Sequence, residues 1–249
     1  MSFAGAPHAP SWLPFDLPGG GHALFTARAH GNMSSVSGLD HEHGQHARER
    51  LRTQLGLRRL ARGYQVHGTT VRQIHSHADV PAPDLDAARS PIEADGHATS
   101  VWGIGVMALA ADCLPVALGG HGAVAMVHAG WRGLAAGVLE EGVQALRALG
   151  ADGHIAAIVG PGAGPCCYEV GPEVHAAFAT VPAAEIVPGS LHQSAAPIDL
   201  RALAHSRLRA AGVLDVRDVA ACTICDARFF SHRRESTDAG RQAGIAWLA

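Results

Sequence analysis

Three residues of this chain have side chains that could together hold a metal ion: His67 in Gln-Val-His-Gly-Thr, Cys113 in Ala-Asp-Cys-Leu-Pro-Val and His128 in His-Ala-Gly-Trp-Arg-Gly. Each stands near a short apolar run, where an element of structure can present a side chain to a site. Two imidazoles and a thiolate suit zinc, and a catalytic zinc keeps three protein ligands and leaves its fourth position to water or substrate. Singly, the three have plainer readings, because free cysteines are commonly buried and a lone histidine is usually just hydrogen-bonded. Asp112, next to Cys113, suits orienting a ligand or trading protons, and equally suits bracing a turn. Arg132 sits in the glycine-bounded turn after His128, where its fork of donors fits phosphate or carboxylate and the amides of a following helix start add to an anion site. Arg62 and Arg233 are further phosphate candidates.

The elements that must position these residues follow from apolar periodicity. Residues 1–20, rich in Pro and Gly, read as a loose leader, and 21–249 as one domain. Ala23–Ala29 reads as extended and Gly31–Gly38 as a polar loop able to lend hydroxyls and amides to a ligand. An amphipathic helix is expected within His41–Leu60, ending near Gly56, followed by a strand Tyr64–Val71 that delivers His67. Residues 76–95 read as a loop turning towards Asp95 and Thr99. Buried strands follow around Gly103–Ala110 and Ala123–His128, then a helix over 134–149, a strand Ile155–Val159, helices Pro172–Phe178 and Leu200–Ala211, and strands near Val216–Ala221 and Gly244–Leu248. Strands and helices alternate too loosely for a plain doubly wound sheet, which leaves a layered α+β domain.

Composition narrows the function. With 19 Lys+Arg against 22 Asp+Glu, the net charge of -3 gives no field suited to nucleic acid or an anionic membrane as the main partner, so small-molecule chemistry is favoured. Every one of those basic residues is arginine, which removes Schiff-base catalysis and the lysine of a phosphate loop. Val101–Gly120 carries Asp112 as its sole charge, yet its glycines, its proline and the Asp-Cys pair read as buried strand, turn and strand rather than a membrane span. Five cysteines and no signal-peptide pattern fit a reducing cytoplasm.

Cys222-Thr-Ile-Cys225 has the spacing of half a zinc ribbon or of a redox pair, and Cys166-Cys167 could add thiolates. Adjacent cysteines reach one tetrahedron poorly, so the four are expected to be buried structural thiols. The 17 histidines invite copper, but the clustered His pairs beside a Cys and an axial ligand that a blue-copper oxidase needs are not found.

Gln65-Val66-His67-Gly68-Thr69-Thr70-Val71, Glu93-Ala94-Asp95, Ala111-Asp112-Cys113-Leu114-Pro115-Val116, His128-Ala129-Gly130-Trp131-Arg132-Gly133-Leu134-Ala135, Gly160-Pro161 and Phe230-Ser231-His232-Arg233-Arg234 occur in one order. In this the chain resembles the laccase-domain (YfiH) family from about Phe25 to Trp247. The resemblance implies a four-layer α/β/β/α sandwich with mixed sheets and a zinc held by His67, Cys113 and His128. It also implies phosphorolysis of adenosine, inosine, guanosine and S-methyl-5'-thioadenosine, with hydrolytic deamination of adenosine. Catalytic roles then fall on Cys113, His128, Arg132 and Asp112, with purine nucleosides and phosphate as partners. Family members also carry the labels polyphenol oxidase, which would call for copper, and peptidoglycan editing factor, which would make Cys113 a nucleophile in a cysteine-type hydrolase. Gly38-Leu39-Asp40-His41 and Gly96-His97 depart from the family pattern, which commonly has Asn-Leu and Ala-Leu there.

Overall fold

A computed structural model describes residues 14–81, 92–179 and 196–249. Most of the expected 1–20 leader and half of the expected 76–95 loop lie outside these residues. In chain order the elements are β1 (Phe15–Leu17), β2 (Gly21–Phe25), α1 (Gly44–Gln54), β3 (Arg59–Ala61), β4 (Val71–Ile74), β5 (Gly96–Thr99), β6 (Ile104–Ala110), β7 (Leu114–Gly120) and β8 (Ala123–Ala129). They continue with α2 (Trp131–Ala136), α3 (Val138–Ala148), β9 (Ala156–Val159), β10 (Glu169–Val170), α4 (Pro172–Ala177), β11 (Ala196–Pro197), α5 (Leu200–Ala210), β12 (Asp215–Asp218), α6 (His232–Glu235) and β13 (Gln242–Leu248).

Two mixed sheets carry the structure. One runs β1-β2-β13-β6-β3 and the other β12-β9-β7-β8-β5-β4. β3 pairs with β6, β4 with β5 and β12 with β9 in parallel, while the remaining pairs of the two sheets are antiparallel. Alternation along the strands assigns each side chain to a layer. On β13, Ala243, Ile245 and Trp247 pack with Ala47 and Leu51 of α1, whereas Ala246 and Leu248 face the second sheet and join Val124, Met126 and Ile158. On β8, Ala123, Ala125, Val127 and Ala129 turn the other way, onto Leu134, Leu139, Val143, Leu203 and Leu208 of the helices. Three cores separating four layers are the α/β/β/α sandwich expected from the resemblance.

His128 shares the parity of Val124 and Met126, which aims it into the space between the sheets at the strand's end. The long apolar stretch resolves into β6, the Ala111–Cys113 turn and β7, every residue of β7 and β8 being buried, so Cys113 emerges where β7 begins.

Several expectations need correction. The strand drawn through Tyr64–Val71 lies instead at Val71–Ile74, and His67 sits in the preceding loop with a φ of 60°. Residues 96–99, expected in a turn, form a buried strand. The single helix over 134–149 is two: α2 starts earlier, at Trp131, and Gly137 breaks the run with a φ of 99°, a left-handed conformation that costs glycine little. Phe15–Leu17, placed in the leader, pairs with β2 as an edge strand.

Candidate metal centre and its cavity

Asp95 organises the site. Its Oδ1 accepts the His67 amide at 2.9 Å and faces His128 Nδ1 at 2.8 Å, while its Oδ2 accepts the amides of Val66 at 3.1 Å and Gly68 at 2.8 Å. Three successive N–H groups wrapped around one carboxylate explain why residues 66–68 form a loop and not a strand: the carboxylate outcompetes a sheet neighbour for their donors. The Asp95 carbonyl also accepts the His128 amide, at 2.6 Å. One buried side chain thus fixes both histidines, and by engaging Nδ1 of His128 it leaves Nε2 for the site.

His67, Cys113 and His128 come together. One ligand atom from each lies within 4.8 Å of the others, and the two imidazoles meet edge to face with ring centroids 4.9 Å apart. Exposure grades across the group, with His128 buried, Cys113 partly buried and His67 exposed. A Cβ on Gly130 would stand 2.8 Å from Cδ2 of His67 and 3.0 Å from Sγ of Cys113, so the bare backbone there is what lets the donors converge.

The electrostatics fit a charged donor set. Desolvation opposes ionisation of Cys113, but the imidazoles of His128 and His67 outweigh it and bring the thiol down to about 6. Burial likewise opposes charge on His128, yet Cys113 and Asp95 together raise it to about 9. Burial would push the Asp95 carboxyl up, and His128 with the Gly68 and Val66 amides holds it below the usual range. Both shifts run towards the charged forms, a thiolate beside an imidazolium.

These side chains open onto a cavity of about 510 Å³, within the size range of small-molecule sites. Arg62, Arg132 and Arg233 all line it, as the anion reading requires, and so does Arg241, which sequence reasoning missed. Arg132 lies on α2 with its guanidinium 4.3 Å over the Trp131 ring and pairs with no carboxylate among the described residues. Since α2 has only six residues, guanidinium groups rather than a helix dipole carry the positive potential here. The polar loop contributes Ser34, Ser35, Val36 and Ser37, and the Ser35 hydroxyl is buried without a hydrogen-bond partner. Tyr168, also unforeseen, lines the cavity too; burial first, then the nearby Cys113, push its phenol up to about 12, so it stays a neutral donor.

Asp112 is placed differently from the other expected residues. At a φ of 86° it is buried, and its carboxylate accepts Thr223 Oγ1 at 2.7 Å, Ser231 Oγ at 3.1 Å and the Arg233 amide at 2.7 Å. Those bonds tie the Cys113 turn to the 223–233 segment and favour the bracing alternative. The four other cysteines are not buried: Cys166 and Cys225 are exposed, Cys167 and Cys222 partly so, and their sulfurs form a second close group.

The model of the family described as "Multi-copper polyphenol oxidoreductase laccase" matches residues 20–249. A protein of Xylella fastidiosa (strain Temecula1) named "Purine nucleoside phosphorylase" is 39% identical over 249 residues, covering 94% of this chain and 89% of its own. Among solved structures, the Geobacillus stearothermophilus protein YlmD superposes with a TM-score of 0.79 at 28% identity, covering 92% of each chain. The Bacillus licheniformis hypothetical protein YfiH superposes with a TM-score of 0.80 and covers 92% of this chain and 93% of its own, a likeness of fold at 24% identity.

Proposed function

The chain belongs to the multi-copper polyphenol oxidoreductase laccase family, and from that we propose that it is a zinc-dependent purine nucleoside phosphorylase with adenosine deaminase activity. The observation that carries the reading is the convergence of an open two-histidine, one-cysteine group and four arginines on one cavity. The name of the Xylella relative supports the nucleoside substrate class.

The residues fit zinc. One sulfur and two nitrogens within 4.8 Å match three-ligand catalytic sites, Gly130 supplies the bare cradle, and Asp95 is the carboxylate behind a ligating histidine. Zinc bound by His67, Cys113 and His128 supplies Lewis acidity towards an oxygen of phosphate or water. Copper is the weaker match: among the described residues only two histidines fall in a metal-capable group, fewer than a multi-copper centre needs.

Arg132, with Arg62 and Arg233, holds phosphate and presents one oxygen to the anomeric carbon as the glycosidic bond lengthens. Positive charge growing on the sugar is met by the incoming phosphate. Negative charge growing on the leaving purine is met by a donor on the cavity wall, the Ser35 hydroxyl or the Tyr168 phenol. Tyr64, Trp131 and Tyr168 offer aromatic faces on which a purine stacks. Asp112 acts by positioning, through Thr223, Ser231 and Arg233.

Incubation with adenosine and phosphate, resolving adenine, ribose 1-phosphate and inosine by chromatography, tests this; inosine, guanosine and S-methyl-5'-thioadenosine extend it. Adenine with matching ribose 1-phosphate is expected, and neither adenine nor inosine at micromolar enzyme defeats the reading.

One observation favours a second reading. Asp95, His128 and Cys113 are arranged as carboxylate, imidazole and thiolate, the constellation of a cysteine hydrolase, which fits editing of a peptidoglycan precursor. A sulfur bound to zinc is not free to attack, so one zinc fewer per chain in Cys113→Ala supports the first reading, and unchanged zinc content with Cys113 alkylated by iodoacetamide supports the second.

A further inference from the structure

We propose that Cys166, Cys167, Cys222 and Cys225 form a second metal centre, a closed tetrathiolate zinc site that staples together two loops of the cavity wall. It shares no residue with the His67–Cys113–His128 group and does not rest on the phosphorylase reading. All four sulfurs lie within 4.8 Å of one another, with Cys225 Sγ 2.7 Å from Cys167 Sγ and 3.3 Å from Cys166 Sγ, and all four are free thiols. Four thiolates about 2.3 Å from one zinc stand roughly 3.8 Å apart, a spacing the cluster reaches with small side-chain adjustments.

The backbone is shaped for this convergence. The amides of Cys167 and Tyr168 both donate to the Gly164 carbonyl, at 3.1 and 3.0 Å, a turn tight enough to bring adjacent cysteines to one group. Across from it, Cys222-Thr-Ile-Cys225 closes into its own turn through the Asp226 amide donating to the Cys222 carbonyl at 2.9 Å. The two turns are joined: the Gly164 amide donates to Cys222 Sγ at 3.2 Å, and the Thr223 amide donates to the Gly162 carbonyl at 3.0 Å. A Cβ on Gly164 would stand 3.1 Å from Cys222 Cβ, 3.3 Å from its sulfur and 3.4 Å from Cys166 Sγ, so a side chain there would crowd the two thiols.

Chemistry selects the ligand. Four soft sulfur donors exclude magnesium and calcium, and a closed four-cysteine set is the structural zinc pattern. Binding zinc through four thiols releases four protons and leaves a centre of charge −2. Arg234 is placed beside it, its guanidinium donating to the carbonyls of Thr223 and Ile224 inside the turn. The staple would fasten the Tyr168 wall of the cavity to the segment whose Thr223 bonds Asp112, next to Cys113.

The test is metal analysis of full-length protein purified under reducing conditions without added metal. Cys113→Ala is expected to retain one zinc per chain, and Cys222→Ser/Cys225→Ser to lose one zinc relative to the unsubstituted chain. Cobalt substituted into Cys113→Ala is expected to show the intense thiolate-to-metal absorption of a four-sulfur site. Should the double variant fail to fold, a mercurial titration of the unsubstituted protein with a zinc indicator decides, with modified thiols mapped by peptide mass. Zinc released as these four thiols react supports the site. Four reactive thiols releasing no zinc, a chain mass two hydrogens lower through a disulfide among them, or iron in place of zinc would overturn it.

Discussion

Replacing Asp95 by asparagine leaves shape and volume almost unchanged and removes one negative charge and one acceptor oxygen. In the protein each oxygen of this carboxylate serves two donors: Oδ1 takes the His67 amide and His128 Nδ1, and Oδ2 takes the amides of Val66 and Gly68. Turned one way, the asparagine NH₂ faces the Val66 and Gly68 amides and satisfies neither; turned the other, it faces the His67 amide and His128 Nδ1, which can accept from it only by giving up the tautomer that leaves Nε2 to a metal. At least one amide therefore loses its acceptor, a loss of about 1–3 kcal/mol. At roughly 2–4 °C per kcal/mol for a chain of this size, Tm should fall by at least about 2 °C, with or without metal. The same change loosens both histidines, and loss of such a supporting carboxylate typically weakens metal binding by about 10–100-fold. Thermal unfolding with and without chelator, together with zinc competition against a chromophoric chelator, reads both effects. If Asp95→Asn melts within about 1 °C of the unsubstituted protein and binds zinc within about threefold, the organising role assigned to Asp95 is wrong.

Other outcomes follow from particular residues. His97 is buried with neither ring nitrogen hydrogen-bonded, and burial, then Arg72, lowers it to about 3. Below its ordinary 6.5 the unfolded chain takes a proton that the folded chain refuses, so stability falls as pH drops from 6.5 towards 3, by about 1.4 kcal/mol per pH unit. His97→Leu should therefore gain about 2 kcal/mol on the unsubstituted protein at pH 5 relative to pH 8 in urea unfolding, and an equal difference at both pH values would contradict this. Gly130→Ala should keep the far-ultraviolet circular dichroism of the fold while weakening zinc by about tenfold or more, because the added carbon meets His67 and Cys113. Arg132→Ala should raise the KM for phosphate by about 10–100-fold, the worth of one charged hydrogen bond, with the KM for nucleoside little changed; an unchanged phosphate KM would remove Arg132 from the anion site.

The parts of the molecule legible in the sequence are those that local pattern determines. β6, β7 and β8 are unbroken apolar runs because both their faces are covered, and α5 begins where Asp199 caps it, its carboxylate accepting the amides of Arg201 and Ala202. The three metal-ligand candidates were legible by residue type, and their meeting followed only from the resemblance. What local pattern missed depends on contacts between distant segments. Residues 64–71 alternate like a strand, but Asp95 takes the amides of Val66, His67 and Gly68. Arg241 and Tyr168 reach the cavity from segments distant in sequence from the metal-ligand candidates, and nothing in their neighbours marks them. Cys166 and Cys167 looked unsuited to a shared site because adjacent side chains usually diverge, and the Gly164 turn that overcomes this is visible only in three dimensions.

The central claim is that His67, Cys113 and His128 hold the zinc on which phosphorolysis depends. Its most direct measurement is adenine release from adenosine and phosphate by chelator-treated protein as zinc is added back, run beside Cys113→Ala. The account predicts activity lost on chelation, restored by stoichiometric zinc, strictly dependent on phosphate and absent from the variant. Adenine release that survives chelation, or persists in Cys113→Ala, would contradict it.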